Sequence, residues 1–320
     1  MSRNDHLHLV TKVANLYYVK KEKQVEIADR LEISQSTVSR LAQEAINKNL
    51  VTFKLNSSIS EYVNLEEELR EKFNLKDISI VDHSDNDFQL INNLGSYTAF
   101  YLQNTIKKND LVGISCWSQA LLATANVMTN LEKSINADVV QILGGLGSST
   151  FESHAYQLTY KFAEKFNGKA HMLPSPGILD NKSGRSILLK DSYIKKIFEL
   201  YEKLTIALVG IGQIKQSKLL TESGNCFNFK ELEVLKKNQV VGDINLRFIS
   251  KDGKNIKTDL DKRIMGIGLN QLKMIPRRIG VAGGKQKHKA IKASIIGDYI
   301  NTLITDSQTA NYLINSKLNL

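Results

Sequence analysis

Apolar residues recur along this chain in two rhythms. In QVEIADRLEISQSTVSRLAQEAINKNLV, residues 24–51, Val25, Ala28 and Leu31 fall three apart with Ile27 beside them. After a short break, Val38, Leu41, Ala45 and Ile46 take up the same helical spacing. The pattern predicts two amphipathic helices joined by a tight bend, the spacing of a helix-turn-helix. Ile33 is an apolar peg for the underside of both helices, and Ser34 or Ser36 can cap the second by accepting from its free N–H groups. Ala28 falls where the helices cross closely enough to admit only a small side chain. Glu32 stands where such turns commonly carry Gly, and a non-Gly residue with positive φ costs about 1 kcal/mol. Residues 6–19 predict a supporting helix with Leu9, Val13 and Leu16 inward, and LVTFKL at 50–55 alternates as a short strand.

The polar stretch NSSISEYVN (56–64) marks a boundary, and LEEELREKF (65–73) reads as a connecting helix within 57–76. Beyond residue 77 the rhythm changes. Short, nearly continuous apolar runs (DISIVD, DLVGIS, ADVVQIL, KAHML, LTIALVG, RRIGVAG and NTLITD) alternate with helical stretches. That alternation predicts a doubly wound, mostly parallel sheet buried on both faces. One exception, GDINLRFISKDGKNI at 242–256, reads as a hairpin turning at Asp252-Gly253. The expected organisation is therefore an all-α helix-turn-helix domain over 1–56 and an α/β domain over 57–320.

The outer face of the second helix presents Gln35, Ser36, Thr37, Ser39 and Arg40, side-chain types that reach base edges and phosphates in a major groove. A plain helical hairpin would have no use for that polar face. In the α/β domain, ligands of such sheets sit at the carboxyl ends of the strands. There lie GISCWSQALLA (113–123), QILGGLGSS (141–149), GIGQI (210–214) and AGGKQKHKAIKA (282–293), and the last strand ends on Asp306. Gly113 allows close backbone approach, Ser115, Ser118 and Gln119 open a helix whose N-terminus favours an anion, and Gln141 can bond a ligand hydroxyl. Neither GxGxxG after the first strand nor a P-loop is present.

The net charge of +10 suits nucleic acid, but its distribution weakens that inference. Residues 1–55 hold nine Lys and Arg against six acids, whereas residues 251–292 hold twelve against three. The late excess is either a solvated face or a contact for an anion other than DNA. No apolar run approaches the ~20 residues of a membrane helix. The N-terminus lacks a secretory layout, so a cytoplasmic protein is expected. Cys116 and Cys226 are too few for a disulfide framework and match no metal site, and no cofactor is implied. A sugar-phosphate isomerase would need a positioned base. The candidates are Asp243, Asp306, His154 and His288, with no acid/base motif around them.

VVQILGGLG, ALVGIGQI, VGDINLRF, RRIGVAGGKQKHKAIKA and NTLITDSQTA, in this order behind a helix-turn-helix, resemble the SorC family of bacterial sugar-responsive transcriptional regulators over nearly the whole chain. The resemblance implies an effector domain similar to ribose-5-phosphate isomerase and glucosamine-6-phosphate deaminase, assembled as a homodimer or homotetramer and controlling operator DNA. It implies a carbohydrate-metabolism regulator, with the isomerase-like enzyme as the alternative. Carried over by position, its effector site falls on Gly113, Ser115, Cys116, Trp117, Ser118, Gln119, Gln141, Gly144, Gly145, Gly283, Gly284, Lys287 and Asp306. Many members read GxSWGxT in the first loop. Here Cys116, Trp117, Ser118 and Gln119 replace that pattern, so both a sugar phosphate and a neutral sugar or polyol stay open.

Overall fold

A computed structural model describes residues 3–52, 60–146, 152–214 and 227–317. It divides into a compact unit ending at Ser60 and a larger one starting at Glu61. The boundary expected at 56/57, the 53–55 portion of the expected strand and Cys226 lie outside the described residues; residues 50–52 form no strand.

In the smaller unit, α1 (Arg3–Ala14) runs into a wide π-type turn at Asn15–Val19, followed by α2 (Gln24–Leu31) and α3 (Gln35–Asn47). Val10, Val13, Leu16, Ile27, Val38, Leu41 and Ala45 form its core, and Ala28 is buried with them. Ser34 is the cap of α3, its hydroxyl accepting from the Thr37 N–H at 3.1 Å. Glu32 adopts the left-handed conformation, φ 53° and ψ 42°, at the bend.

The larger unit runs α4 (Ser60–Phe73), β1 (Asp77–Val81), α5 (Asp87–Thr105), β2 (Leu111–Ile114), α6 (Gln119–Val127), β3 (Asp138–Gln141), α7 (Glu152–Lys165) and β4 (Ala170–His171). Then come α8 (Lys182–Leu188), α9 (Ser192–Tyr201), β5 (Ile206–Gly210), β6 (Gly212–Gln213), α10 (Phe229–Lys237), β7 (Val240–Ile244) and β8 (Arg247–Ser250). The chain closes with α11 (Leu269–Lys273), β9 (Arg277–Val281), α12 (His288–Ile296), β10 (Thr302–Asp306) and α13 (Ser307–Asn315). Seven strands pair in the order β1-β10-β9-β5-β2-β3-β4, every pair parallel.

Both faces are covered. Leu94, Leu102, Leu121, Leu158 and Phe162 pack on one side against Ile114, Val139, Leu208 and Ile304. Leu69, Ile197, Tyr201, Ile291 and Leu313 pack on the other against Val140, Val209 and Leu303. This double burial is why the strands read as continuous apolar runs. From β2 the chain winds toward β3 and β4, whereas from β5 it winds toward β9 and β10. The reversal opens a crevice beyond the carboxyl ends of β2 and β5.

A small antiparallel sheet, β6-β7-β8, completes the unit and corrects the expected hairpin. Its principal turn is Asn245-Leu246, both with positive φ (53° and 60°), while Asp252-Gly253 makes a second, shorter reversal in which Ile249 bridges Asn255. Leu246 was unreadable as a turn residue because its left-handed strain is offset by burial, only 3% of it being exposed.

Glu32 and Leu246 share a backbone conformation but not an environment, which sets opposite outcomes. Glu32→Gly relieves strain at an exposed site and should stabilise the small unit by about 1 kcal/mol. Leu246→Gly relieves the same strain but removes a buried side chain of about 2–3 kcal/mol, so a net loss of ~1–2 kcal/mol is expected. Denaturant unfolding of each full-length variant checks both; a stabilised Leu246→Gly protein would contradict the balance.

Candidate functional site

The ends of β2 and β5 meet at the crevice. Ser118 caps α6 by accepting from the Leu121 N–H at 3.3 Å, and Gly210 lies so close that a Cβ there would stand 2.8 Å from the Ser118 Oγ. From the neighbouring loop, Ser115 donates its hydroxyl to Asn245 Oδ1 at 2.6 Å, tying the small sheet to the large one. The Asn245 Nδ2 is buried without a hydrogen-bond partner among the described residues. Two residues earlier, Asp243 sits opposite Gly212 and accepts from the Leu246 N–H at 2.9 Å. Burial pushes the Asp243 carboxyl up to about 6, against the pull of that N–H and of the Lys287 charge.

Lys287 lies within electrostatic reach of Asp243. Burial lowers its pKa while Asp243 and Asp87 oppose the change. No hydrogen bond or ion pair reaches its ammonium among the described residues. Next to it, Gln286 accepts from Gln213 Nε2 at 3.1 Å, so the β9 loop and β6 are joined. The other lysines of the basic stretch divide differently: Lys251, Lys254, Lys257, Lys262, Lys285 and Lys289 are exposed. Arg278 instead binds the Lys273 and Ile275 carbonyls and Asp298. Most of that charge is therefore solvated or structural.

The Gly283-Gly284 turn holds Lys287 in place through Asp306. Gly284 has φ 90°, open to glycine, and donates its N–H to Asp306 Oδ1 at 2.9 Å. A Cβ on Gly283 would stand 2.6 Å from the same oxygen. Asp306 also accepts from the Thr309 hydroxyl and meets His83 Nδ1 at 2.6 Å. Its burial opposes ionisation, but Thr309, Gly284 and His83 outweigh it and hold the carboxyl below the usual range.

Several expected ligand contacts have internal partners. Gln141 is fully buried; its Nε2 donates to the Leu143 carbonyl at 2.9 Å and its Oε1 accepts from the Leu173 N–H at 3.3 Å. Asp306, equally buried, has both oxygens engaged. Gly113 is tightly packed within β2, since a Cβ there would meet Ile142 at 2.7 Å and Leu204 at 2.8 Å. Gly144 similarly yields to the Pro176 carbonyl, and Gly145 is buried. Cys116 donates to the Leu143 carbonyl at 2.9 Å, and burial pushes its thiol up to about 12. Trp117 directs its indole N–H to the Gly144 carbonyl at 3.3 Å and packs against the Leu143–Phe227 cluster. Ser115, Ser118, Gln119, Gly283, Gly284 and Lys287 are thus the expected residues gathered at the crevice or its turn.

Three residues there were not read from sequence as ligand-site residues. In the sequence Asp243 reads only as a candidate base, Asn245 lies at the turn that local pattern does not mark, and His83 lies two residues beyond β1 in an undistinguished polar loop. The pattern DHSD, a His flanked by acids after a strand, is the one available signal for His83. The side chain of His154 lies outside the described residues. In the small unit, Gln35, Ser36, Ser39 and Arg40 are exposed on α3, while Thr37 is half-buried and shares its hydroxyl with Ser34 at 2.8 Å.

An α/β unit with a crevice at its strand ends and a helix-turn-helix define a ligand-responsive regulator, and comparison with known proteins agrees. Residues 57–315 match the Sugar-bind family, a sugar-binding domain. The deoxyribonucleoside regulator of Bacillus subtilis (strain 168) is 33% identical over 308 residues, covering 96% of this chain and 97% of its own length. The sorbitol operon regulator of Klebsiella pneumoniae is 30% identical over 321 residues, covering 98% and 100%. The full-length crystal structure of that regulator superposes with a TM-score of 0.74 at 28% identity, covering 97% of this chain and 100% of its own. The chain belongs to the SorC-type sugar-binding transcriptional regulators. Among the described residues no helix is long and apolar enough to cross a membrane.

The Asp306 network predicts an acid-sensitive fold. A depressed folded-state pKa contributes stability that is complete above the unfolded carboxylate value, about 3.9, and is lost as pH falls through the lower folded value. Asp306→Asn should cost ~2–4 kcal/mol near pH 7, with the deficit shrinking below pH ~4. Urea unfolding at several pH values reads this; a deficit independent of pH would contradict it.

Proposed function

We propose that this chain binds operator DNA through α3 and a sugar phosphate, or a sugar bearing another acid group, in the crevice between the 115–119 loop and the Gly283–Lys287 turn. The supporting observation is Lys287: a partly buried ammonium with no ion-pair partner among the described residues, beside the N-terminal turn of α12 and across from α6. Helix dipoles, free N–H groups and ammonium favour the same ligand charge. Asp243 and the Asn245 Nδ2, unpartnered among the described residues, are suited to sugar hydroxyls, while Gln141, Cys116 and Asp306 hold the surrounding backbone.

The chain acts in this reading as a cytoplasmic homo-oligomer, not as an enzyme. Effector binding shifts the population between protomer arrangements, and hence whether two recognition helices reach half-sites together, one helical turn or a multiple apart at ~34 Å. The domain assignment follows: residues 1–56 read DNA, and residues 57–320 bind effector and assemble. The isomerase reading draws on the Asp243 carboxyl, poised near neutral pH. It leaves the helix-turn-helix without a purpose, and the relatives are named as regulators.

Lys287→Ala should weaken a sugar phosphate by ~1.5–3 kcal/mol through loss of a charge-assisted bond, and the matched neutral sugar far less. Calorimetry with such pairs decides, and tighter binding of the neutral member, untouched by the substitution, would overturn the anionic effector. On the DNA side, Arg40→Ala should cost ~1–3 kcal/mol at one base position if it meets a base edge, or weaken all sequences alike if it meets phosphate. A folded Gln35, Ser36 and Arg40 triple-alanine variant with undiminished operator binding would remove the DNA assignment.

A further inference from the structure

We propose that His83 is a positioning residue for the effector turn: bridging Asp85 and Asp306 as an imidazolium, it fixes the carboxylate that holds Gly284, and with it the loop that carries Lys287. The inference rests on the effector reading of that loop, and deepens it by making the turn responsive to protons.

The geometry presents one carboxylate to each ring nitrogen. Nδ1 lies 2.6 Å from Asp306 Oδ2, and Nε2 lies 3.3 Å from Asp85 Oδ1. An ionised carboxylate offers no hydrogen, so both bonds exist together only when the ring carries both of its own. The neutral Nδ1–H tautomer keeps Asp306 but turns a lone pair toward Asp85. The backbone that carries the ring is anchored. The His83 N–H donates to Ser307 Oγ at 3.3 Å, the Asp82 carbonyl accepts from Asn93 at 3.0 Å, and Asp82 Oδ1 accepts from the Tyr62 hydroxyl at 2.9 Å.

The charged neighbours agree on where the proton resides. Burial opposes a charge on His83, but the Asp306 and Asp85 carboxylates outweigh it and raise its pKa above the ordinary value. The second imidazole of the cluster, His288 at the start of α12, goes the other way. Its burial, with His83 and Lys285 nearby, lowers its pKa against the pull of Asp306, and it stacks on Tyr312 at 4.5 Å. The two rings are therefore shifted in opposite directions, His83 toward its charged form and His288 toward its neutral one. On the remaining side, Asp82 is bonded to Tyr62 from α4.

The sign follows from the direction of the His83 shift. A raised folded-state pKa gives stabilisation that is complete below the unfolded value, about 6.5, and is lost as pH rises through the raised one. Asp306 imposes the opposite limit in acid. The turn is held most firmly between the two titrations. Above the His83 titration a charge-assisted bond to Asp306 becomes an ordinary one, and the Asp85 bond disappears.

Amide exchange measured by mass spectrometry on the full chain, over peptides spanning 280–290 and corrected for intrinsic chemistry, tests this without any ligand. In the wild type, protection of the turn should fall about three- to tenfold as pH rises from 6 to 9, the difference between a charged and a neutral donor. His83→Ala should be poorly protected at every pH. His83→Asn, which keeps a neutral donor near the Nδ1 position, should hold the high-pH level of the wild type without the step. Equal protection in the wild type and His83→Ala, or a step that survives in His83→Ala, overturns the assignment.

Calorimetry with inorganic phosphate then tests the link to the crevice. The titrations of phosphate and Asp243 are common to all variants, so the ratio of wild-type to His83→Ala affinity isolates His83. It should be about three- to tenfold at pH 6.5 and smaller at pH 8.5. A ratio of one at both pH values, alongside altered exchange, overturns the proposed effect on the effector loop. Absence of phosphate binding in the wild type counts against the effector reading, and the exchange pattern alone then decides the role of His83.

Discussion

A parallel sheet buried on both faces has nowhere to place chemistry except at the ends of its strands. The faces of β2, β5, β9 and β10 are largely occupied by packing, from Ile114 and Leu208 on one side to Val209 and Leu303 on the other. Groups free to meet a ligand are thereby concentrated in the loops, and the winding reversal between β2 and β5 decides which loops face each other. The crevice is a consequence of topology before it is a consequence of any particular side chain.

What the loops need is rigidity, because a ligand pays for every degree of freedom that it must freeze. The buried carboxylate of Asp306 supplies it to the β9 loop, through Gly284, Thr309 and His83. The Ser115–Asn245 bond supplies it between the two sheets, and the Gln141 amide does so beneath them. Residues that look like ligand contacts in the sequence can thus act one layer further back, holding the backbone that makes the contact.

That distinction explains what could be read from the chain alone. Elements with strong periodicity were legible: the two helices around Ile33, the left-handed Glu32, the Ser34 cap and the strands that end at Gln141, Gly210 and Asp306. Gly283 and Gly284 were legible as a turn, because a glycine pair between a strand and a helix start marks one. The Asn245-Leu246 turn was not, since tertiary burial of Leu246 overrides the local preference that would place Gly there. His83 was not, because its significance lies in a partner 223 residues away. Gln141 and Gly113 were recognisable as special, but whether they face inward or toward a ligand depends on packing by Leu173, Ile142 and Leu204 that no local pattern reveals.

Cys116 gives the crevice a chemical timekeeper. Its thiol is buried, bonded to the Leu143 carbonyl and pushed up to about 12, so almost none is thiolate at physiological pH while the loop stays closed. The thiolate is the form that alkylates, so modification of this sulfur must pass through excursions that bring it to water. Its reaction rate therefore reports how often the buried sulfur reaches water, without any label having been added to the protein.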